Sequence, residues 1–393
     1  MKANVATILT LALLAAMPLA AATGPQAPQG SASPQGAAKD QPQGRFGEQM
    51  EVSEVLMDVL VTDQQGNVIV GLGPDDFVVQ EDGESVPVNS VSFYSNRRLA
   101  SPAPQALAGK LHIDTLPEDR YFILFFDDQR QVDPDTSLDL VRQQMDAARW
   151  AERWVREELL PHDWVAVVSY NMKLKVQTDF THDREAIVSA IQDAIKGKEL
   201  EANWPSRART DGGPSLVQGL PRGNQLRKET PRIYPAIQLV AQSVGKIRAR
   251  KNMILFTTGF GQVNSWGQYL KDPRYYPPMM QTLNDNNVAV YTIELTPNTV
   301  QHTMSDAMNQ LADQTGGRYF FNFNSFLTPL TQLADENNGY YLLSYTSRHP
   351  AGSEGYQKVT VRTKNSQFQV KSREGYHYGD KPVELAGTQP AGE

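Results

Sequence analysis

Short apolar runs and longer helical patterns alternate along the middle of the chain. The short runs are almost wholly apolar, as expected of strands buried on both faces, and lie at residues 121–126, 164–170, 252–259 and 288–295. In the other segments apolar residues recur at helical spacing, which predicts helices over 141–159, 183–195, 233–247, 279–286, 305–317 and 325–337. Strands that alternate with helices in this way predict an α/β fold with a doubly wound, mostly parallel sheet and helices on both faces.

Alternation of apolar and polar residues, the pattern of half-exposed strands, marks both flanks of this region. Short β-type runs separated by Gly, Asn and Asp turns fill residues 49–98, and three more fill 338–378. We expect these two segments to pack together as an accessory β module beside an α/β domain that spans 118–337. A Pro/Gln/Gly-rich linker, a second linker and a disordered tail are predicted at 23–48, 99–117 and 379–393.

The first residues have the pattern of a secretory signal peptide. Met1-Lys2 gives a short positive region, an apolar run follows from Val5 to Leu19, and Ala20-Ala21-Ala22 offers a small-residue cleavage site. We therefore predict a signal peptide over 1–22 and a periplasmic or secreted mature protein with no membrane span. The run is short for a span, and its retention as an anchor is the alternative.

Composition removes several functional classes. The chain of 393 residues has a net charge of −7 and a pI near 5.5, which gives no reason to expect nucleic-acid binding. It contains no cysteine, so disulfides, thiolate metal sites and a cysteine nucleophile are excluded. The sequence has no nucleotide-binding glycine motif and no G-x-S-x-G motif, and its six histidines lack metal-ligand spacing. Nucleotide binding and serine-based hydrolysis therefore have no support.

Two adjacent aspartates, Asp127 and Asp128, directly follow the first buried strand. In doubly wound sheets ligands bind at the carboxyl ends of the strands, where Thr257-Thr258-Gly259 is also expected. Carboxylates at such a place suit a hard cation such as Mg²⁺. An acid/base pair is a weaker interpretation, because adjacent side chains on an extended strand point to opposite faces. The third interpretation is structural, since aspartate is common in the turns that follow strands.

A basic loop spans residues 197–232, between two predicted helices. It contains Trp204 and seven basic residues, namely Lys198, Arg207, Arg209, Arg222, Arg227, Lys228 and Arg232. So long a segment without periodicity is uncommon in a compact domain. On an acidic protein such a loop could dock an acidic partner, or it could be a solvated excursion.

Several sequence pieces occur in the order typical of one protein family. They begin with VLVTDQQGNVIVGLGPDDFVVQEDG and continue through RYFILFFDD, LLPHDWVAVVSYN and DFTHDREAI. They end with GYYLLSY, YQKVTVRTK and VKSREGYHY. Over about 50–378 the chain thus resembles the von Willebrand factor A (VWA)-related proteins of the Acidobacterial type. The resemblance implies a mostly parallel sheet flanked by helices, with a metal-ion-dependent adhesion site at one edge.

The resemblance also implies a ligand set for that site, and this chain departs from it in part. Asp127 matches the first aspartate of the family's D-x-S-x-S motif, but Gln129 and Gln131 stand where its serines should be. Thr230 matches the family's threonine, and Thr258 stands where its last aspartate should be. The resemblance therefore implies a degenerate metal site.

From these observations we expect a non-catalytic, exported protein that binds an unidentified protein partner at the carboxyl edge of its sheet. The residues assigned to a metal are Asp127, Asp128 and Thr230, and those assigned to the partner are Gln129, Arg130, Gln131 and Thr258. The 197–232 and Gly259–Trp266 loops are expected at the rim. No cofactor is expected, Mg²⁺ being the one candidate ion. Two alternatives stay open, a divalent-cation-dependent hydrolase at the Asp127/Asp128 corner and a purely structural envelope protein.

Overall fold

The computed structural model describes residues 54–95, 119–127, 137–197, 213–296, 304–349 and 353–379. All of them belong to one compact unit, Met50–Glu393. The predictions for residues 1–48, 99–117 and 380–393 fall outside the described residues, as does part of the basic loop, 198–212. No helix within the described ranges is both long enough and apolar enough to cross a membrane.

Strands and helices follow one another along the described ranges. The strands are β1 (Glu54–Thr62), β2 (Phe77–Glu81), β3 (Glu84–Val86), β4 (Val88–Ser95), β5 (Arg120–Asp127), β6 (Asp163–Tyr170), β7 (Leu174–Thr181), β8 (Lys251–Thr257), β9 (Gln262–Val263), β10 (Tyr269–Leu270), β11 (Val288–Glu294), β12 (Tyr319–Phe320), β13 (Gly339–Thr346), β14 (Gly355–Thr363), β15 (Gln369–Lys371) and β16 (Gly375–Tyr378). The helices are α1 (Ser137–Glu157), α2 (Arg184–Ile195), α3 (Asn224–Glu229), α4 (Ile233–Ser243), α5 (Tyr276–Asp285), α6 (Ser305–Gln314) and α7 (Leu327–Glu336). Two short 3₁₀ helices lie at Pro74–Asp76 and Val217–Gly219.

The central sheet has the strand order β12-β11-β8-β5-β6-β7. All neighbouring pairs run parallel except β6 and β7, which are antiparallel. Counted along the chain, the order from one edge is 3-2-1-4-5-6, the doubly wound order that reverses between the first and fourth strands. The predicted fold class is therefore confirmed, and the reversal places the switch point between β5 and β8.

Each face of the central sheet carries its own layer of helices. Phe122, Leu124 and Phe126 of β5 pack in one core with α1, α2 and α7, whereas Ile123 and Phe125 pack in the other with α4 and α5. Successive side chains of a strand point to opposite faces. A strand that is covered on both faces therefore has to be apolar at almost every position, which explains the continuous run in the sequence.

The flanking segments form a β sandwich, as predicted for the accessory module. One antiparallel sheet has the order β15-β1-β13-β4 and the other β16-β14-β2-β3, so each combines strands from both flanks of the chain. The inner faces share one buried core. At its centre the Tyr341 ring packs against Phe93 of its own sheet at 4.9 Å and against Phe77 of the other at 5.4 Å. These aromatic contacts hold the two sheets together.

A buried carboxylate joins the sandwich to the α/β domain. Glu336, at the end of α7, is 0% exposed. Its two oxygens accept from the Arg318 guanidinium at 2.7 Å and from the Lys371 ammonium of β15 at 2.7 Å. Because a buried charge is costly unless it is paired, this contact fixes β15 against α7.

A second buried cation lies at the same junction. Lys251, the first residue of β8, is 1% exposed and donates through Nζ to the Ile247 carbonyl at 2.7 Å. Burial lowers the pKa of Lys251 to about 7, although the charge of Asp58 on β1 opposes this shift. The sandwich therefore supplies an opposite charge that favours the protonated form of a lysine in the α/β domain.

The structure corrects two expectations about local structure. Strand β7 was not predicted, although Leu174, Val176 and Phe180 are buried in the core. The described part of the 197–232 loop is not an excursion, because it contains a 3₁₀ turn and α3, and because Leu216 and Leu226 are buried. In both segments polar residues interrupt the apolar pattern.

Candidate functional site at the carboxyl edge of the central sheet

Asp127 and Thr257 meet at the switch point of the central sheet. Asp127 ends β5 and Thr257 ends the neighbouring parallel strand β8. The Thr257 hydroxyl donates to Oδ2 of Asp127 at 2.6 Å, and both side chains are buried, at 0% and 2% exposure. The acidic strand end identified in the sequence is thus tied to the strand beside it.

The same hydroxyl also holds the loop that follows β8. Thr257 Oγ1 accepts from the Gly259 backbone N–H at 2.9 Å. Gly259 has φ +89°, and a Cβ there would lie 2.4 Å from Cβ of Met304, so the position requires glycine. One threonine therefore fixes both the strand end and the first turn of the loop.

Two polar residues surround the Asp127 end of β5. Gln144, on the buried side of α1, donates through Nε2 to the Asp127 carbonyl at 3.3 Å. Tyr170 ends β6 and pairs with Asp127 in the sheet register. Burial and, after it, the charge of Asp127 raise the pKa of Tyr170. The tyrosine therefore stays a neutral phenol beside the carboxylate at physiological pH.

A second carboxylate, Glu294, ends β11 on the other side of β8. It is aligned with Thr257 in the sheet and is 5% exposed. Its Oε1 accepts from Thr296 N–H at 3.1 Å, and its Oε2 accepts from the Tyr319 hydroxyl at 2.8 Å. Burial is the main reason that the pKa of Tyr319 is raised, so the phenol keeps the proton that it donates. Glu294 thus ties β11 to β12, as Asp127 ties β5 to β8.

The described residues do not fit the Mg²⁺ site that the resemblance implies. Thr230, an assigned ligand, is 0% exposed at the end of α3. Its hydroxyl donates to the Leu226 carbonyl at 2.7 Å and accepts from Leu174 N–H at 3.2 Å. Asp127, the other described ligand, already accepts from Thr257. Mg²⁺ needs several oxygen ligands in a near-ideal octahedron, and these side chains are engaged elsewhere.

The remaining assigned residues divide into two groups. Asp128 of the predicted metal set, together with Gln129, Arg130 and Gln131 of the predicted partner set, lies outside the described residues. Thr258 is half-buried directly after β8, where it borders the switch point. In the part of the chain that the structure describes, no group of three His, Asp or Glu side chains could hold a metal ion.

A small hairpin, β9–β10, rises from the loop after β8 and presents Trp266. The indole is 85% exposed at the tip, and Val263 and Leu270 beside it are each 46% exposed. Asn264 organises the tip, since its Oδ1 accepts from Trp266 N–H at 3.0 Å and from Gln268 N–H at 2.9 Å. These hydrogen bonds to the Asn264 side chain fix the conformation of the turn, so the exposed tryptophan lies on an ordered turn.

The base of the hairpin is packed against the start of α4. A Cβ on Gly261 would lie 2.3 Å from Cε2 of Tyr269 and 3.5 Å from the hydroxyl of Tyr234, so both rings close around this glycine. The Tyr234 ring also meets Phe260 edge-on at 5.1 Å. Burial raises the pKa of both tyrosines. The hairpin therefore stands on an aromatic base of neutral phenols.

The sequence located Asp127 at the end of its strand but did not indicate which residues contact it. Thr258 was assigned a role, whereas Thr257 makes the contact with Asp127. In the sheet register Asp127 pairs with Tyr170, and Thr257 lies one residue beyond the pair of Phe126 with Phe256. The predicted ends of the three apolar runs, at residues 126, 170 and 259, do not give this alignment. Trp266 was included only as the end of a rim loop, because no pattern in the sequence indicates a two-residue strand.

Solved structures that are similar to this chain share little sequence with it. No protein-family model matches the chain, and no curated protein matches it. Proximal thread matrix protein 1 from the mussel byssus aligns with 17% identity and a TM-score of 0.34 over 56% of this chain and 48% of that one. The chain thus spans about half the length of the mussel protein.

Two bacterial structures align at similar levels. BatB from Bacteroides thetaiotaomicron has 14% identity and a TM-score of 0.34, over 55% of this chain and 96% of its own. A von Willebrand factor type A structure from Catenulispora acidiphila has 9% identity and a TM-score of 0.34, over 87% and 78%. Because these TM-scores lie below 0.5, the fold is assigned from the strand order and register alone. The Acidobacterial type stays a prediction.

Proposed function

We propose that this chain is an exported, non-catalytic binding protein whose partner docks at the carboxyl edge of the central sheet. The observation that carries the proposal is Trp266, 85% exposed at the tip of an ordered hairpin rooted beside the switch point. Large exposed aromatic side chains on rigid scaffolds are typical of the few residues that dominate binding energy. The switch point is also where doubly wound folds bind ligands.

The polar floor of this edge supports binding without catalysis. Asp127 is 2% exposed and hydrogen-bonded to Thr257, and Glu294 is 5% exposed and bonded to Tyr319. Carboxylates in such contacts hold neighbouring strands together, whereas a general acid or base has to reach the substrate. The groups that face outward at this edge include Trp266 and Val263, which suit contact with another protein surface.

The test is the capture of partners from the native organism by crosslinking and mass spectrometry. W266A should reduce capture strongly, because loss of a dominant contact costs about 2 kcal/mol or more. That cost corresponds to roughly thirtyfold in Kd. The matched control is L56A, which removes a side chain 52% exposed on β1 of the sandwich. Mg²⁺ and EDTA arms should give equal capture.

Three outcomes of the capture experiment would contradict the proposal. Unchanged capture by W266A, or crosslinks that avoid residues 258–276, would show that the partner docks elsewhere. Capture that needs Mg²⁺ would revive a cation-dependent role for Asp127 and Asp128.

Export is proposed from the pattern of residues 1–22. The mass of the protein from the cell envelope or medium should match a chain that begins close to Thr23, and a chain that still begins at Met1 would contradict cleavage.

A further inference from the structure

We infer that the surface beside the Trp266 hairpin recognises an acidic segment of a partner protein. This inference rests on the proposed function and specifies the chemistry of its partner. Two segments, 213–232 before α4 and 258–276 after β8, form the surface that we call the basic rim.

The basic rim is positively charged on a negatively charged protein. It contains two acidic residues, Glu229 and Asp272, and six basic ones, which are Arg222, Arg227, Lys228, Arg232, Lys271 and Arg274. All six basic side chains are exposed, whereas Asp272 is 9% exposed. The rim therefore has a net charge of +4 in a chain of net charge −7. Such segregation favours a partner of opposite charge and speeds its association.

The acidic residue at the centre of the rim is turned inward. Asp272 Oδ1 accepts from the backbone N–H groups of Arg274 at 3.0 Å and of Tyr275 at 3.3 Å. Its carboxylate thus holds the turn that leads into α5. The positive charges around it are the ones that face solvent.

Aromatic rings join the two segments and hold their cations. The Arg232 guanidinium, from the first segment, lies over the Tyr275 ring of the second at 5.2 Å, and Arg274 lies over the same ring at 5.4 Å. Lys271 Nζ lies over the Tyr276 ring at 4.9 Å. Stacking on a ring restricts the motion of the side chain. The N–H groups of a stacked guanidinium lie at the edge of its plane, where carboxylates bind. The cations are therefore pre-ordered for an acidic ligand.

The apolar residues of the hairpin favour a peptide over a nucleic acid. Trp266, Val263 and Leu270 are exposed close to the cations along the chain, which suits a segment that mixes carboxylates with apolar side chains. A nucleic acid presents a continuous row of phosphates, whose binding needs an extended basic surface. The net charge of −7 opposes such a polyanion outside the rim.

The test uses short random peptides displayed on phage and selected against the immobilised full-length protein. Enriched peptides are synthesised with a fluorescent label, and binding is measured by anisotropy. The test variant is R232E/K271E. The matched control is R362E/K364E, which makes the same charge change at exposed residues at the end of β14. Thermal unfolding confirms that both variants are folded.

We expect the enriched peptides to be rich in Asp and Glu with aromatic or aliphatic residues among them. Affinity should fall at least about tenfold in R232E/K271E, stay unchanged in R362E/K364E, and weaken as salt is added. Neutral or basic peptides, failure to enrich any peptide, or equal affinity for both variants would overturn the inference. It would also be overturned by tighter binding of a single-stranded oligonucleotide, or by self-association, in sedimentation, that R232E/K271E abolishes.

The outcomes separate this inference from the proposed function. Peptides that are not acidic but lose affinity in W266A would refute the acidic partner and support the edge as a binding surface. Acidic peptides that bind through Arg232 while W266A leaves native capture unchanged would refute Trp266 as the main contact.

Discussion

Thr257 joins three parts of the carboxyl edge through one hydroxyl group. It donates to Asp127 on β5, accepts from Gly259 in the following loop, and belongs to β8 itself. A valine has nearly the same shape but neither donates nor accepts a hydrogen bond. The contribution of the hydroxyl can therefore be measured with little change in packing.

T257V should lower the free energy of unfolding by about 3 kcal/mol, because it removes the buried hydrogen bonds that the Thr257 hydroxyl makes with the Asp127 carboxylate and the Gly259 N–H. Urea unfolding measures this change. T258V, at a half-buried neighbour, is the matched control and should stay within about 0.5 kcal/mol of wild type. Equal stabilities for T257V and T258V would mean that the Asp127 contact does not hold the edge together.

For single residues, the sequence predicted where a polar side chain lies better than which side chain it contacts. The end of an apolar run located Asp127, since a buried strand has to stop where polar residues begin. The partner of Asp127 depends on which strands are adjacent and in which register, and neither is encoded near Asp127. Thr230 shows the same limit, because its motif match predicted a ligand, whereas α3 uses the hydroxyl for its own end.

Helix α7 and strand β15 come from distant parts of the chain and are joined by one carboxylate. Glu336 is 0% exposed and is held by Arg318 and Lys371 at 2.7 Å each. Burial lowers the pKa of Lys371 to about 8, although Glu336 opposes the shift. The lysine therefore depends on Glu336 for most of its stabilisation in the buried state.

E336A should cost about 3–5 kcal/mol of unfolding free energy, because it leaves two cations without their shared buried partner. The matched control is E374A, which breaks the pair between Lys358, 60% exposed, and Glu374. That exposed pair should contribute less than about 1 kcal/mol. Urea unfolding of both variants tests the difference, and a loss for E336A no larger than that for E374A would contradict a role in joining the two elements.

Elements with unbroken apolar patterns were predicted, and those with mixed patterns were not. The ends of strand β8 and helix α4 lie no more than four residues from the expected ends. Strand β7, at one edge of the sheet, has the polar residues Lys175, Gln177 and Asp179 between its buried apolar ones. Its sequence therefore lacks the continuous apolar run that predicts a buried strand. The hairpin β9–β10 has strands of two residues, which is too short for any periodicity to develop.

Contacts between the two flanks of the chain hold the β sandwich together. Strand β1 pairs with β13, and β2 pairs with β14, so neither flank can form its sandwich alone. The alternating β-type runs on both flanks predicted that these segments pack together as one module. The sequence could not predict that charged residues of the sandwich, Asp58 and Arg373, would act on a buried lysine of the α/β domain, Lys251.

The buried lysines predict an unusual alkaline profile for the stability of the whole chain. Burial lowers the pKa of Lys251 to about 7 and that of Lys371 to about 8, from an ordinary 10.5. The charges that act on the pKa of Lys251 are Asp58 and Arg373, and those that act on the pKa of Lys371 are Glu336, Arg318 and Arg250. Between these values and 10.5 the unfolded chain binds more protons than the folded chain does, so the free energy of unfolding rises with pH.

The rise should end near pH 10, because buried tyrosines act in the opposite direction. Burial raises the pKa of Tyr341 and Tyr376 from 10.0 to about 12, so above about pH 10 the unfolded chain loses these protons first and stability falls. The free energy of unfolding, measured with urea from pH 7 to 11, should therefore show a maximum between about pH 9 and 10.

K251M should remove the part of the rise that begins near pH 7, while K364M, at an exposed lysine, should leave the profile unchanged. A profile that falls steadily above pH 7, or one that K251M does not alter, would mean that Lys251 keeps its charge when the two modules are packed together.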